Sequence, residues 1–389
     1  MLIKIVSDAN IPFVEEMFSS FGVLDLIPGH EITPSTLIDV DALIVRSVTF
    51  VDESLLAGSA VRFVGSATAG IDHIDYEFLN QRGIGWAHAP GCNAESVVEW
   101  VLAALFYLSQ LNGTPVLEST LGIVGCGEIG SRLAKRATAL GLHVLANDPP
   151  RARLAAEEDE RSQFVSLNTL LEQSDIVSLH VPWLADGPDA TENLIGGSEL
   201  ERMKNGAWVL NTSRGGVVDE AALIDSIREG KVGASAVDVW NGEPRPNQNL
   251  QDLVDICSPH IAGYSRDAKR NCIQMIADRV ASFFSTPGWK TDREASIPIR
   301  LKMPETDPRT SPETFIHRIV EQMYRIEDDV VRMRLLPVHD SRARETAFRR
   351  QRWEYPPRHT FARYQLSSAG LTEEWQVRLE EGLQIELVD

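Results

Sequence analysis

Three charged side chains stand at the ends of successive apolar runs: Arg214 in NTSRGG, Glu243 in DVWNGEP and His260 in SPHIAGYS. Singly, each has an ordinary reading. A lone histidine is more often a hydrogen-bonded structural residue, an arginine a surface ion pair, a glutamate a solvated loop. Together they make an acid–base set. A guanidinium can clamp a carboxylate with two hydrogen bonds and polarise the carbonyl beside it. An imidazole near neutrality can take and return a hydroxyl proton. A carboxylate bonded to that imidazole fixes its tautomer and favours its charged form.

A second constellation precedes them. GIVGCGEIG places Gly125, Gly127 and Gly130 as GxGxxG between a strand-like run and a helical one. The first glycine permits the tight turn, the second lets backbone approach a pyrophosphate, and the third lets helix and strand pack closely. Alone the pattern is weak; here the flanking elements it needs are present. Asp148 closes the next apolar run, 18 residues beyond Gly130 (148 − 130). An acidic group there accepts hydrogen bonds from ribose hydroxyls and repels a ribose phosphate, favouring NAD over NADP. Arg151 and Arg153 follow closely and leave that preference open.

These residues need a scaffold that brings strand ends together. LIKIVSD, ALIVRSVT and VRFVGSAT read as strands among helices in the first hundred residues, and TLGIVGCG, HVLANDP, DIVSLHVP, AWVLNTSRG, GASAVDVW and DICSPHIAG as a second series. Alternation of that kind predicts two α/β domains with doubly wound parallel sheets, whose ligands sit outside the carboxyl ends of the strands. The long apolar run NAESVVEWVLAALFYLSQ connects them, starting at Asn93 or Ser96. After about residue 290 a proline-rich polar stretch reads as a linker. Beyond it, SPETFIHRIVEQMYRIEDDVVRMRL reads as a helix opened by serine and proline, and LQIELVD as a final strand. The expected division is residues 1–93 with 264–290, residues 94–263, and a small α+β domain over 291–389.

Composition narrows the class. A chain of 389 residues has length for two or three domains, and a net charge of −19 argues against nucleic-acid or anionic-membrane partners. MLIKIVSDANIPF has no small-residue cleavage pattern, so no secretory leader is expected. No run approaches the roughly 18 apolar residues that span a bilayer. Cys92, Cys126, Cys257 and Cys272 lack paired metal spacing and are too few for a disulfide framework, which predicts reduced thiols in the cytoplasm. The string Asp72, His73, Asp75 could suggest a metal but reads as a turn after a strand, and no metal is expected.

The stretches GIVGCGEIGSRLAKRATALG, DIVSLHVP, MKNGAWVLNTSRGGVVDEAAL, GASAVDVWNGEP and SPHIAG resemble the D-isomer-specific 2-hydroxyacid dehydrogenases, over roughly residues 40 to 285. The resemblance implies NAD as cofactor and Arg214, Glu243 and His260 as the catalytic residues. It places Gly125, Gly127, Glu128, Ile129, Gly130, Asp148, Thr212, Ser213, Asp238 and Gly263 at the cofactor, with the substrate in a cleft between the domains. Finer matches in VRSVT, GSATAGIDHID, APGCNAESVVEW, NDPPRA, HIAGYS and YPPRH point, within the family, to a small phosphorylated 2-hydroxy acid as substrate. They imply substrate contacts from Ser47, Thr68 and Tyr264, and a carboxyl-terminal domain that forms a homodimer. Arg46, beside Ser47 at a strand end, is a candidate for the phosphate. So is the cluster Arg349, Arg350, Arg352 and Arg358, which only Glu354 opposes in sequence. Two other readings stay open: a dehydrogenase of another small 2-hydroxy acid, and an NAD-sensing binding protein on the same fold.

Overall fold

The computed structural model describes residues 3–155, 163–285, 297–309 and 311–389. It divides into two compact units, Met1–Asn93 with Ser265–Ser296 and Ala94–Tyr264 with Ile297–Asp389. The sequence-derived boundary at residue 290 lies outside the described residues.

The first unit is built on strands β1 (Ile3–Asp8), β2 (Gly22–Ile27), β3 (Ala42–Val45), β4 (Phe63–Ser66) and β5 (Gly85–Ala87), all parallel, in the order β2-β1-β3-β4-β5. Every residue of β3 and β4 is buried, because helices cover both faces of a parallel sheet and leave no strand face for water. Two apolar layers result. One sets Ile5, Ile44 and Phe63 against Ile273, Ile276 and Val280 of the helix Arg266–Phe283, and the other gathers Val6, Leu43, Val45 and Val64 with Leu37 and Leu79.

Cys92 and Cys272 are joined by a disulfide across 180 residues of sequence, with their Cα atoms 5.0 Å apart. This corrects the expectation of reduced thiols. A count of four cysteines carries no information about a pair that only the return of the chain to its first unit brings together. Cys126 and Cys257 are free and buried.

The second unit carries β6 (Thr120–Val124), β7 (His143–Asn147), β8 (Ile176–Leu179), β9 (Ala207–Asn211), β10 (Val232–Val237) and β11 (Ile256–Cys257), ordered β11-β10-β9-β8-β6-β7, again all parallel. A bridge between Ala146 and Phe164 adds the stub of an edge strand beyond β7. Strand order therefore reverses between β6 and β8, the switch point at which such sheets open a crevice.

The carboxyl-terminal segment belongs to this second unit. Strands β12 (Ile299–Arg300), β13 (Tyr364–Ser367) and β14 (Glu386–Val388) form a small parallel sheet. Helix Pro312–Met323 lays Phe315, Ile316, Ile319 and Val320 against helix Ala94–Asn112, and one continuous core runs from Trp100, Ile123 and Val209 to Phe361 and Leu379. Arg136, 1% exposed, donates from Nε to the carbonyl of Gly382 at 2.8 Å and from Nη2 to that of Leu383 at 3.2 Å.

Two readings of the sequence are corrected. The long helix expected after Ser311 breaks at Tyr324, whose backbone is extended, into Pro312–Met323 and Ile326–Arg334. The break lets buried Tyr324 reach buried Asp329 through its hydroxyl. Ser311 precedes the first helix without a side-chain cap. The second correction concerns helix Ala94–Asn112, which is long and apolar enough to cross a membrane by length and composition. Most of it is buried inside the unit, where Glu99 is fully enclosed.

Candidate active site

The glycine loop sits where β6 meets helix Glu128–Leu140. Gly125 adopts φ +89°, in the left-handed region that a side chain rarely takes, and a Cβ there would strike the His180 carbonyl. A Cβ on Gly130 would run into the Gly125 carbonyl, while Gly127 is exposed with open space in front of it. That open approach, at the amino end of a 13-residue helix, fits a dinucleotide's pyrophosphate. Glu128 and Ile129 supply the first turn, and the Glu128 carboxylate pairs with Arg132.

Asp148 Oδ2 accepts from the amide of Cys126 at 2.8 Å, and Oδ1 accepts from that of Arg151 at 3.0 Å. The carboxylate is thus fixed beside the loop, with a lone pair on each oxygen left for ribose hydroxyls. Arg151 turns its guanidinium to the Cys126 carbonyl and to Ser131 Oγ, and Arg153 pairs with Asp189.

Arg214, Glu243 and His260 follow the ends of β9, β10 and β11. His260 Nδ1 lies 2.8 Å from Glu243 Oε2, and the other carboxylate oxygen accepts from the Trp240 amide at 2.9 Å. Because a carboxylate only accepts, Nδ1 carries the proton and Nε2 of the neutral ring is left as a base. Burial works to raise the Glu243 carboxyl, but His260, Arg352 and the Trp240 amide outweigh it and hold it below its ordinary range.

His260 itself has φ +58°, a left-handed backbone unusual for a residue with a side chain. Asp238, 1% exposed, holds that loop in shape. It accepts from the amides of Ile261 at 2.8 Å and Ala262 at 3.0 Å and from the Ser258 hydroxyl, while its carbonyl receives the His260 amide at 2.8 Å. In this arrangement the Asp238 carboxylate serves the loop that carries His260 and leads on to Gly263 and Tyr264.

Arg214 follows β9 on a turn set by Asn211, whose Oδ1 accepts from Ser213 N at 3.0 Å and whose Nδ2 donates to the Arg214 carbonyl at 3.1 Å. Gly215 then passes so near Trp240 that a Cβ would collide with backbone, which keeps the Arg214 turn against the Glu243 loop. Thr212 lies 3.2 Å from Nδ1 of His180, whose Nε2 meets Ser178 Oγ at 2.9 Å. Burial holds the His180 imidazole well below its ordinary range. His180 and Asn211 were passed over in the sequence; their place at the ends of DIVSLHVP and AWVLN was the available signal.

In the first unit, Thr68 donates to the carbonyl of Gly70 at 2.8 Å, so its oxygen accepts from Ser66 at 2.7 Å and Ser66 accepts in turn from His73 Nε2 at 2.8 Å. Asp75 caps the helix Tyr76–Gln81. Among the described residues no cluster of His, Cys, Asp and Glu is arranged to hold a metal. Arg46 gives its Nε to buried Asp8 at 2.8 Å, and Ser47 beside it is exposed.

The arginine cluster read from sequence disperses. Arg349 pairs with Glu345 at 3.1 Å and Arg350 with Glu354 at 3.6 Å. Arg358 is buried against Glu99 at 3.4 Å and donates to the carbonyls of Ala262 and Ser96 at 2.6 and 3.0 Å. Arg352 alone reaches the trio, 3.9 Å from Glu243. Three further carboxylates oppose the cluster: Glu345, one turn before Arg349, and Glu99 and Glu243, both distant in sequence.

Comparison with known proteins bears on this site. The profile described as D-isomer specific 2-hydroxyacid dehydrogenase, NAD binding domain, matches residues 98–262. An erythronate-4-phosphate dehydrogenase of Salinibacter ruber is 43% identical over 390 residues, covering 99% of each chain. One from Azotobacter vinelandii is 41% identical, covering 91% of this chain and 92% of its own. A D-lactate dehydrogenase of Aquifex aeolicus, solved with NAD and lactic acid, superposes with a TM-score of 0.58 at 25% identity, covering 72% of this chain and 96% of its own.

Proposed function

We propose a function from one premise: the chain belongs to the D-isomer specific 2-hydroxyacid dehydrogenase family, on the branch of the erythronate-4-phosphate dehydrogenases. It is an NAD-dependent dehydrogenase. Its reaction is the oxidation of 4-phospho-D-erythronate to 2-oxo-3-hydroxy-4-phosphobutanoate, a step toward pyridoxal phosphate. The observation that carries this reading is the 2.8 Å bond between His260 Nδ1 and Glu243 Oε2.

Gly125, Gly127, Gly130 and the helix behind them hold the cofactor's pyrophosphate, Asp148 its ribose, and Thr212, Ser213, Asp238 and Gly263 its nicotinamide end. When bound, NAD accepts the hydride from the carbon that bears the substrate hydroxyl. Arg214 clamps the substrate carboxylate and polarises the oxygen that becomes the ketone. His260 Nε2 takes the hydroxyl proton, and Glu243 stabilises the imidazolium that forms. Arg46, Ser47, Thr68 and Tyr264 are assigned to the rest of the substrate from the family resemblance.

His260→Asn should bind NAD with nearly unchanged affinity and lose turnover by about 100-fold or more, the scale of a lost general base. Titration of NAD by fluorescence beside steady-state NADH formation checks both. Turnover near wild type with NAD binding intact would remove His260 from its role.

The homodimer expected from the resemblance has support in the carboxyl-terminal segment. Val331, Leu335, Val338 and Trp353 are 57, 75, 58 and 72% exposed. Gln351 donates to the Arg332 carbonyl at 2.6 Å and ties the helix of Val331 to that of Trp353. Four large apolar side chains left to water there suit a face that a second copy covers. The NAD requirement supports a cytoplasmic location, which cell fractionation reads.

A further inference from the structure

Arg352 ends the helix Ser341–Trp353, far in sequence from the trio, yet its Nη1 lies 3.9 Å from Glu243 Oε2. That oxygen is the one His260 uses. Nη2 donates to the Tyr264 hydroxyl at 3.4 Å, with the guanidinium 5.9 Å from the Tyr264 ring centre. Nε is buried and makes no hydrogen bond among the described residues. Arg358, from the same segment, holds the Ala262 carbonyl just past His260.

The geometry points to Arg352 as a positioning residue that acts on His260 through Glu243, so that the working unit is Arg352–Glu243–His260; this rests on the dehydrogenase reading above. A guanidinium and an imidazole that share one carboxylate oxygen divide its charge. Arg352 thereby weakens the hold of Glu243 on the imidazolium and keeps His260 available as a base at lower pH. The other charged and titratable groups near the pair are Arg214, whose turn is held against the Glu243 loop, Asp238 at the end of β10, Glu220 from helix Glu220–Arg228, and Tyr264. Asp238 is engaged by three donors of its own loop, and Glu220 accepts from the Asn241 amide at 2.8 Å. Arg352 is thus an arginine placed to share the Glu243 carboxylate with His260.

The test is a double-mutant cycle on the full-length protein, with 4-phospho-D-erythronate and NAD as the probes. Arg352→Met should move the acid limb of the kcat/KM profile upward by about one pH unit, as expected for an opposite charge near a titrating pair. Arg352→Lys keeps the charge and should hold the limb near wild type. In a Glu243→Gln background Arg352→Met should leave the limb where Glu243→Gln alone puts it, because the link is already cut. A second readout needs no substrate: the His260 Nδ1 proton resonance should shift downfield in Arg352→Met, as its bond to Glu243 strengthens. The resonance staying fixed, or the same limb shift appearing in both backgrounds, would overturn the proposal. So would a rise in KM for the phosphorylated acid alone with an unmoved profile, which would make Arg352 a substrate contact. Should Arg352→Met fail to fold, Arg352→Gln carries the same predictions. Absence of wild-type turnover on this substrate would reject the proposed reaction, and the Nδ1 resonance would still judge Arg352.

Discussion

Single residues at strand ends were the legible part of this chain. Arg214, Glu243, His260 and the glycine loop announce themselves because their chemistry is written in side-chain type and local spacing. The left-handed backbone at His260 was not legible, since it depends on Asp238 drawing the Ile261 and Ala262 amides inward. His73 was read as part of a turn, and the fold adds what that turn does. Its Nε2 proton starts the chain through Ser66 to Thr68, and burial drives the imidazole down to about 4 from an ordinary 6.5. A histidine depressed in the fold contributes stability that is present above its unfolded value and lost as pH falls toward its folded one. The window is therefore pH 6.5 to about 4, and the full effect is about 3 kcal/mol. His73→Gln should cost stability at pH 7.5 and progressively less toward pH 4.5, as followed by thermal melting of both proteins. A gap that does not narrow on acidification would mean the buried imidazole is not what acid attacks.

At the scale of elements, periodicity located the strands and the dinucleotide helix because parallel strands buried on both faces are apolar throughout. It failed at the carboxyl-terminal helix. The apolar spacing continues through Tyr324, whereas the break seats the Tyr324 hydroxyl on buried Asp329, which also accepts from Tyr355 at 2.9 Å. It failed again for the arginine cluster, whose partners Glu99 and Glu243 lie hundreds of residues or a whole sheet away in sequence. The two helices around Val331, Leu335, Val338 and Trp353 carry the dimer prediction. Sedimentation equilibrium at micromolar concentration should find a dimer for the wild type and a monomer for Leu335→Glu with Trp353→Glu. A wild-type monomer, or a double variant that still dimerises, would move the interface elsewhere or abolish it. Deleting the whole segment would be a poor substitute, because Phe315, Ile319, Phe361 and Leu379 share the core of the NAD-binding sheet and their loss would expose it.

For the molecule as a whole, two parallel-sheet units were readable from the alternation of strands and helices. That the last ninety or so residues share a core with the second unit was not, because a proline-rich stretch reads as a linker whatever packs beyond it. That packing brings Arg352 within 3.9 Å of Glu243 and Arg358 onto the Ala262 carbonyl just past His260. The enzyme oxidises a phosphorylated 2-hydroxy acid with NAD. The direct measurement is NADH formation by the full-length protein on 4-phospho-D-erythronate, D-erythronate, D-lactate and D-3-phosphoglycerate in parallel. The account predicts kcat/KM highest for 4-phospho-D-erythronate, by at least about 100-fold over D-erythronate, since charge-assisted contacts to a phosphate are worth about 1.5–3 kcal/mol each and more than one is expected. Equal turnover of the phosphorylated and unphosphorylated acids, or preference for one of the others, would contradict it.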